Sequence, residues 1–201
     1  MTVKDDYRDM YQVGKTPWDI GQPDFNLIET VTQTPIPPGK ALEVGCGSGD
    51  NSIWLAQNRF QVVATDTSEI AIAKAKEKAC QAKVECSFLL VDFLENKIEG
   101  APFGFVFDRG CFHSFASPDD RNKFARNVAA HLDQTGLWLT LVGNADEHRQ
   151  HPGPPQRTAG EIIAAVEPHF EVLSLRSTQF GSQSPHPPRA WRCLMRKRQD
   201  V

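Results

Sequence analysis

The 201-residue sequence predicts an α/β domain, a parallel sheet with helices on both faces. Two observations predict it. From residue 41 onward short apolar runs alternate with helix-like segments, and a glycine-rich turn separates the first apolar run from the first helical one. The length suits one well-buried domain and is short for two.

Residues 1–36 are polar and contain PWDIGQPD at 17–24, which reads as a helical arm ending in a loop. The breaker cluster TPIPPGK at 34–40 introduces the main domain, 37–201. Its candidate strands are Ala41–Val44, Gln61–Thr65, Val84–Val91, Phe103–Phe107, Leu137–Val142, Phe170–Arg176 and Ala190–Arg196. A helix is expected over 51–58. Another is expected over 69–80, with Ile70, Ala73 and Cys80 on its apolar face and lysines opposite. Ser117-Pro118-Asp119-Asp120 carries an N-cap serine, a proline at the first helical position and acids in the first turn. Thr158 and Glu161 have the spacing of a capping box. Stretches 143–157 and 177–189, rich in Gly, Pro and polar residues, read as loops over a site, with Arg157 and Arg189 as candidate anion contacts.

Composition removes several function classes. Hydrophobic residues make up 40% and charged residues 23%, and the net charge of −3 argues against a dedicated nucleic-acid binder. The apolar runs are too short for a membrane span and the start lacks a signal-peptide core, so a cytoplasmic protein is expected. Five cysteines with no CxxC pair read as reduced packing residues, and no metal site is expected.

The turn Gly45-Cys-Gly47-Ser-Gly49 is the first chemical feature. Glycines let the backbone approach a ligand closely, and the following helix start offers free N–H groups. Asp66 ends the next strand, 21 positions after Gly45, where an acid grips a ribose diol. A dinucleotide fingerprint would need glycine at position 50, where this chain has Asp50, an acid that repels pyrophosphate. An adenosyl ligand with an amino-acid tail fits better, and Glu43 adds an acceptor beneath the turn.

LEVGCGSGDNSIWLA followed by VVATDTSEIAI resembles the class I S-adenosylmethionine-dependent methyltransferases over roughly residues 38–196. The resemblance implies a single-domain, Rossmann-like, seven-stranded, mostly parallel sheet with an antiparallel last strand. It implies S-adenosylmethionine as methyl donor and S-adenosylhomocysteine (SAH) as product. Glu43, Gly45, Gly47 and Gly49 would line the methionine end, Asp66 would bind the ribose, and Thr67 and Ile70 would flank the adenosine. In the run LLVDF, Asp92 would accept from the adenine amine and Phe93 would pack on its ring.

PWDIGQPD and the Asp108-Arg109-Gly110 motif are similar to the thiopurine and thiol methyltransferase branch and, in part, to tellurite-resistance methyltransferases. In that branch the arm closes over the cofactor, so Trp18 would cover the sulfonium, whose charge its π-face attracts. The chain is shorter than thiopurine methyltransferases and its glycine motif differs, so the thiopurine substrate does not carry over. After the fourth strand, VFDRGCFHSF would face the transferring methyl. Arg109 would border cofactor and substrate, and His113 would take a proton from the acceptor. Cys111 is expected to be a bystander. The place of the Asn/Asp-Pro-Pro-aromatic motif of nucleic-acid methylases reads DRGCFH, so a small-molecule acceptor is expected and no nucleic acid. A non-catalytic S-adenosylmethionine- or SAH-binding protein is the alternative from another class.

Overall fold

The computed structural model describes residues 3–149 and 153–199, with side chains from residue 7 in the first helix. Helices α1 (Val3–Gln12) and α2 (Phe25–Gln33) precede the sheet. The chain then runs through β1 (Lys40–Val44), α3 (Asp50–Gln57), β2 (Gln61–Asp66), α4 (Glu69–Ala82), β3 (Cys86–Leu90) and β4 (Phe103–Arg109). It finishes with α5 (Pro118–His131), β5 (Leu132–Asn144), β6 (Gln156–Arg157), α6 (Ala159–Val166), β7 (Phe170–Gln179) and β8 (Arg189–Lys197). The strand order is β3-β2-β1-β4-β5-β8-β7, with β6 beside β5. Neighbours run parallel from β3 to β5, and β8 is antiparallel to both β5 and β7.

Alternation along the strands divides the core into two layers. Leu42, Val44, Val106 and Trp138 face α5 and α6, where they meet Phe124, Val128, Ile162 and Val166. Ala41, Ala64, Phe105, Phe107 and Leu139 face α2, α3 and α4, where they meet Leu27, Leu55, Ile72 and Ala75. Each large apolar side chain removed from water here contributes about 1.5–3 kcal/mol. The expected caps form: Ser117 Oγ accepts from the N–H groups of Asp119 and Asp120, and Thr158 and Glu161 close a reciprocal capping box.

Three local expectations are corrected. Helix α4 buries Ala71, Ile72, Ala75 and Ala79, while Ala73 and Cys80 are exposed and Ile70 keeps 37% of its surface. Alanines on several faces left the sequence with too little contrast to mark the inner one. The arm holds a second helix, α2, capped by Asp24, whose carboxylate accepts from Asn26 N–H. Within the stretch read as loop, Gln156 and Arg157 pair in parallel with Gly143 and Asn144.

From β1 the chain steps to β2 on one side, and β4 lies on the other. The carboxyl ends of β1 and β4 therefore diverge, and ligands of open α/β sheets bind in that crevice. The glycine turn leaves β1 at this point.

Candidate functional site

Gly45, Gly47 and Gly49 all have positive φ, at 70°, 54° and 86°, and Gly49 caps α3 in the left-handed region. All three also admit close neighbours, and a β-carbon at Gly49 would stand 2.9 Å from Ala75 Cβ. A β-carbon at Gly45 would stand 3.0 Å from Cys111 Cβ, and one at Gly47 would stand 2.8 Å from Tyr11 Oη. Cys111 is thus a wall against the turn, and the arm's tyrosine lies directly over it.

Two carboxylates support the turn. Asp66 accepts from Gly47 N–H at 2.9 Å and from Ser68 N–H at 2.8 Å, so it shapes the turn while the carboxylate keeps acceptor capacity. Burial, only partly opposed by these backbone N–H groups, raises its pKa. Glu43 is 1% exposed and lies beneath the turn, where it takes Asn51 Nδ2 at 3.0 Å and the Ser52 hydroxyl. Desolvation pushes its pKa up to about 8 against the pull of Ser52 and Asn51, so it holds a proton at neutral pH. Glu43 braces the first turn of α3, one layer behind the glycines.

The arm closes the front. Trp18 Nε1 donates to Tyr11 Oη at 3.0 Å, and the Trp18 ring meets Tyr7 and Tyr11 edge-on at 5.0 and 5.7 Å. Arg8 donates to Thr67 O at 3.0 Å. Asp19 and Asp50 share Lys78 at 3.2 and 3.0 Å, with Ser48 Oγ 2.7 Å from both Lys78 Nζ and Asp19. Burial opposes the Asp19 charge, but Ser48 and Lys78 outweigh it and hold the carboxyl below its ordinary value. Trp18, Asp19, Ile20 and Arg109 face Gly45–Asn51 across a cleft of about 40 Å³.

Arg109 is tied on three sides. Nε donates to Asp24 Oδ2 at 2.7 Å, Nη1 to Trp18 O at 3.1 Å and Nη2 to Gly181 O at 2.6 Å. Asp24 Oδ2 also accepts from Gly181 N–H at 2.8 Å, and Phe180 lies 5.3 Å from the guanidinium carbon. The expected border residue therefore clasps the arm to the β7–β8 loop, with its charge met by a carboxylate whose side chain is fully buried.

His113 is 2% exposed, and its Nδ1 accepts from Gly143 N–H at 2.8 Å. That bond places the ring proton on Nε2, beside Gly110. Burial first, then the charges of Arg157, Arg109 and Arg149, push its pKa down to about 3. With Nδ1 taken and Nε2 protonated, the ring has no lone pair for an acceptor's proton. Asp108 accepts from Phe112 N–H and Trp138 Nε1, both at 2.9 Å, and shapes the loop from beneath.

On the side where the adenosine is expected, Thr67 follows Asp66 in the chain and Ile70 is 37% exposed. Asp92 Oδ1 accepts from Leu94 N–H at 3.0 Å. Phe93 is 4% exposed and packs on Phe124 and His131 at 5.2 and 5.4 Å, so here it belongs to the core. Leu90, the register partner of Asp66, is 55% exposed and stands where an apolar contact to an adenine is wanted. Asp24, Tyr11, Phe180 and Leu90 are site residues that sequence reasoning missed. A signal existed only for Asp24, inside PWDIGQPD. Among the described residues, no three His, Cys, Asp or Glu side chains gather as metal ligands would, and no helix is long and apolar enough to cross a membrane.

These features fit an adenosyl sulfonium ligand. The turn is bare backbone, Asp66 keeps acceptor capacity, Ile70 and Leu90 offer apolar surface, and an indole bounds the cleft. At about 40 Å³ the cleft is far below the roughly 300 Å³ or more of ordinary ligand pockets.

A family model described as a methyltransferase domain matches residues 41–136. The chain is 32% identical over 175 residues to the probable thiol methyltransferase 2 of Arabidopsis thaliana, covering 85% of this chain and 76% of that protein. It is 30% identical over 176 residues to thiocyanate methyltransferase 1 of Brassica oleracea, covering 85% and 76%. Its fold matches the magnesium protoporphyrin IX methyltransferase of Synechocystis with bound SAH at a TM-score of 0.74 and 17% identity, covering 98% of this chain and 100% of that one.

Proposed function

The chain belongs to the class I S-adenosylmethionine-dependent methyltransferases, and from that premise we propose that its acceptor is a small molecule attacking through a soft atom, a thiol sulfur first. Bound S-adenosylmethionine supplies an activated methyl group on its sulfonium. The residues to hold it are the Gly45–Gly49 backbone for the amino-acid tail, Asp66 for the ribose and Ile70, Leu90 and Asp92 around the base. Trp18 covers the sulfonium side, and the 1–36 arm closes over the whole.

One observation carries the acceptor reading: among the described residues, neither of the two expected catalytic groups is free to act as a base. His113 has its only lone pair on Gly143 N–H, and Arg109 is paired to Asp24. A hydroxyl or amine acceptor would need a proton removed during attack, whereas a thiol ionises near pH 8.5 and attacks as thiolate with little help. The protein's contribution is then alignment and exclusion of water. Effective molarities for aligned reactants reach on the order of 10⁵ M. The names of the two plant relatives, thiol and thiocyanate methyltransferase, point to the same soft-atom chemistry.

The test is calorimetry with S-adenosylmethionine, followed by a panel of thiols, thiocyanate, iodide and small amines scored by SAH release. Thiols should turn over and amines should not. Asp66→Ala should weaken cofactor binding at least about tenfold, about 1.4 kcal/mol. Cofactor binding with no turnover on any soft acceptor would leave a binding protein in place of this reading.

A further inference from the structure

Behind the acceptor corner stand two arginines that the methyl-transfer reading does not use. Arg121, in the first turns of α5, is 4% exposed. Its Nη1 donates to Phe115 O and Ala116 O at 2.9 and 2.7 Å. Arg157, in β6, donates from Nη2 to the same Phe115 carbonyl at 2.9 Å. Two guanidinium groups thus share one carbonyl. The Nε of each is buried and has no hydrogen-bond partner. One carboxylate answers them, Glu161, which meets Arg121 Nη2 at 3.3 Å and is 41% exposed. Burial first, then the neighbouring Arg121, works against the charge on Arg157. One positive charge is therefore in surplus where charge is costly, a condition that an anion relieves.

Position ties this surplus to the site. Arg157 pairs with Asn144, next to Gly143, whose N–H holds His113. Its Nη2 donates to Phe115 O, two residues past His113, so it stands against the loop that closes the acceptor corner. Arg109 cannot serve the same purpose, because Asp24 already matches its charge. Arg149 is likewise matched, by Glu147 at 3.4 Å.

We propose that Arg157, backed by Arg121, is an anion-recognition site at the acceptor mouth, and that it takes a carboxylate carried by the acceptor away from its attacking sulfur. A monoanion is favoured because the surplus is one charge, and a carboxylate matches the planar fork of a guanidinium. This rests on the thiol reading. In the reaction the thiol proton leaves to solvent, and the sulfur lone pair forms the new S–CH3 bond. The sulfonium S–CH3 bond breaks with its electron pair kept by that sulfur. The products are a carboxylated thioether, SAH and one proton, and the carboxylate is unchanged.

The test compares 3-mercaptopropionate with its amide, rates being corrected for thiolate fraction. The wild-type KM should be at least about tenfold lower for the acid, about 1.4 kcal/mol. Arg157→Gln should erase that preference while leaving the KM of the amide in place, and Arg157→Lys should restore part of it. A second measurement needs no turnover: calorimetry of 3-(methylthio)propanoate with the SAH-loaded protein should show binding that Arg157→Gln removes. Equal KM values for acid and amide, or a preference that persists in Arg157→Gln, would overturn the proposal. If neither thiol is methylated, the wider acceptor panel decides the soft-acceptor reading and the calorimetric arm alone decides this one: binding lost with Arg157 upholds the anion site, and no binding refutes it.

Discussion

Glu43 shows how one buried proton links the site to stability. Unfolded, its carboxyl ionises near 4.5, whereas in the folded chain burial holds the proton to about 8. Between those values the native state binds more protons than the unfolded state, so stability falls as pH rises, by up to about 1.4 kcal/mol per pH unit. Asp108, raised to about 6 by burial, adds the same sign below that pH. His113, lowered to about 3, gives the opposite sign below 6.5, so the clean window is 6.5 to 8. Urea unfolding across that window should show a loss of about 2 kcal/mol in the wild type and a flat profile in Glu43→Gln. A fall that survives in Glu43→Gln would assign the proton elsewhere. At this scale the sequence was readable where chemistry is local. The glycine turn and Asp66 are fixed by one strand–turn–helix. Arg109 does border the cleft as expected, but its clasp was not legible because it depends on Asp24, 85 positions away, and on Gly181, 72 away. His113 was misread as a base because its tautomer is set by Gly143, 30 positions away.

Among the elements, caps were legible and packing faces were not. Ser117 and Thr158 announce α5 and α6 by residue type alone, but the inner face of α4 depends on which alanines the sheet covers. Helix α1 is the element expected to gate the site. Tyr11 lies close to Gly47 and accepts from Trp18, so a shift of this helix is predicted to accompany cofactor entry. Burial raises the Tyr11 pKa, so its phenol stays protonated over the working range. Tyr11→Ala should therefore speed both association and dissociation of SAH, dissociation by roughly tenfold, about 1.4 kcal/mol of lost closure. Stopped-flow fluorescence of Trp18 reads both rates. Unchanged rates would mean that the arm does not gate the cleft.

Across the whole molecule, the alternation of apolar runs was enough to predict the sheet, because each βα step repeats one rule of burial. The reversal at β8 came only through family resemblance, since periodicity does not show strand direction. The cofactor site joins the arm, the sheet and the late loops, so ligand binding should stabilise the chain as a unit. SAH at about 100 times its Kd should raise the unfolding free energy by about 2.7 kcal/mol, and a nicotinamide dinucleotide should raise it not at all. Thermal and urea unfolding with each ligand check this. The bond from Gly181 N–H to Asp24 spans 157 positions. Because a chain is made from its N-terminus, the arm leaves the ribosome well before residue 181, the partner that fixes its far end. Until residue 181 is out, Arg109 lacks its Gly181 contact and the arm has only its glycine-turn side to rest on. The nascent protein therefore carries a finished glycine shelf long before it has a finished door, and the door is hung only once residue 181 has emerged.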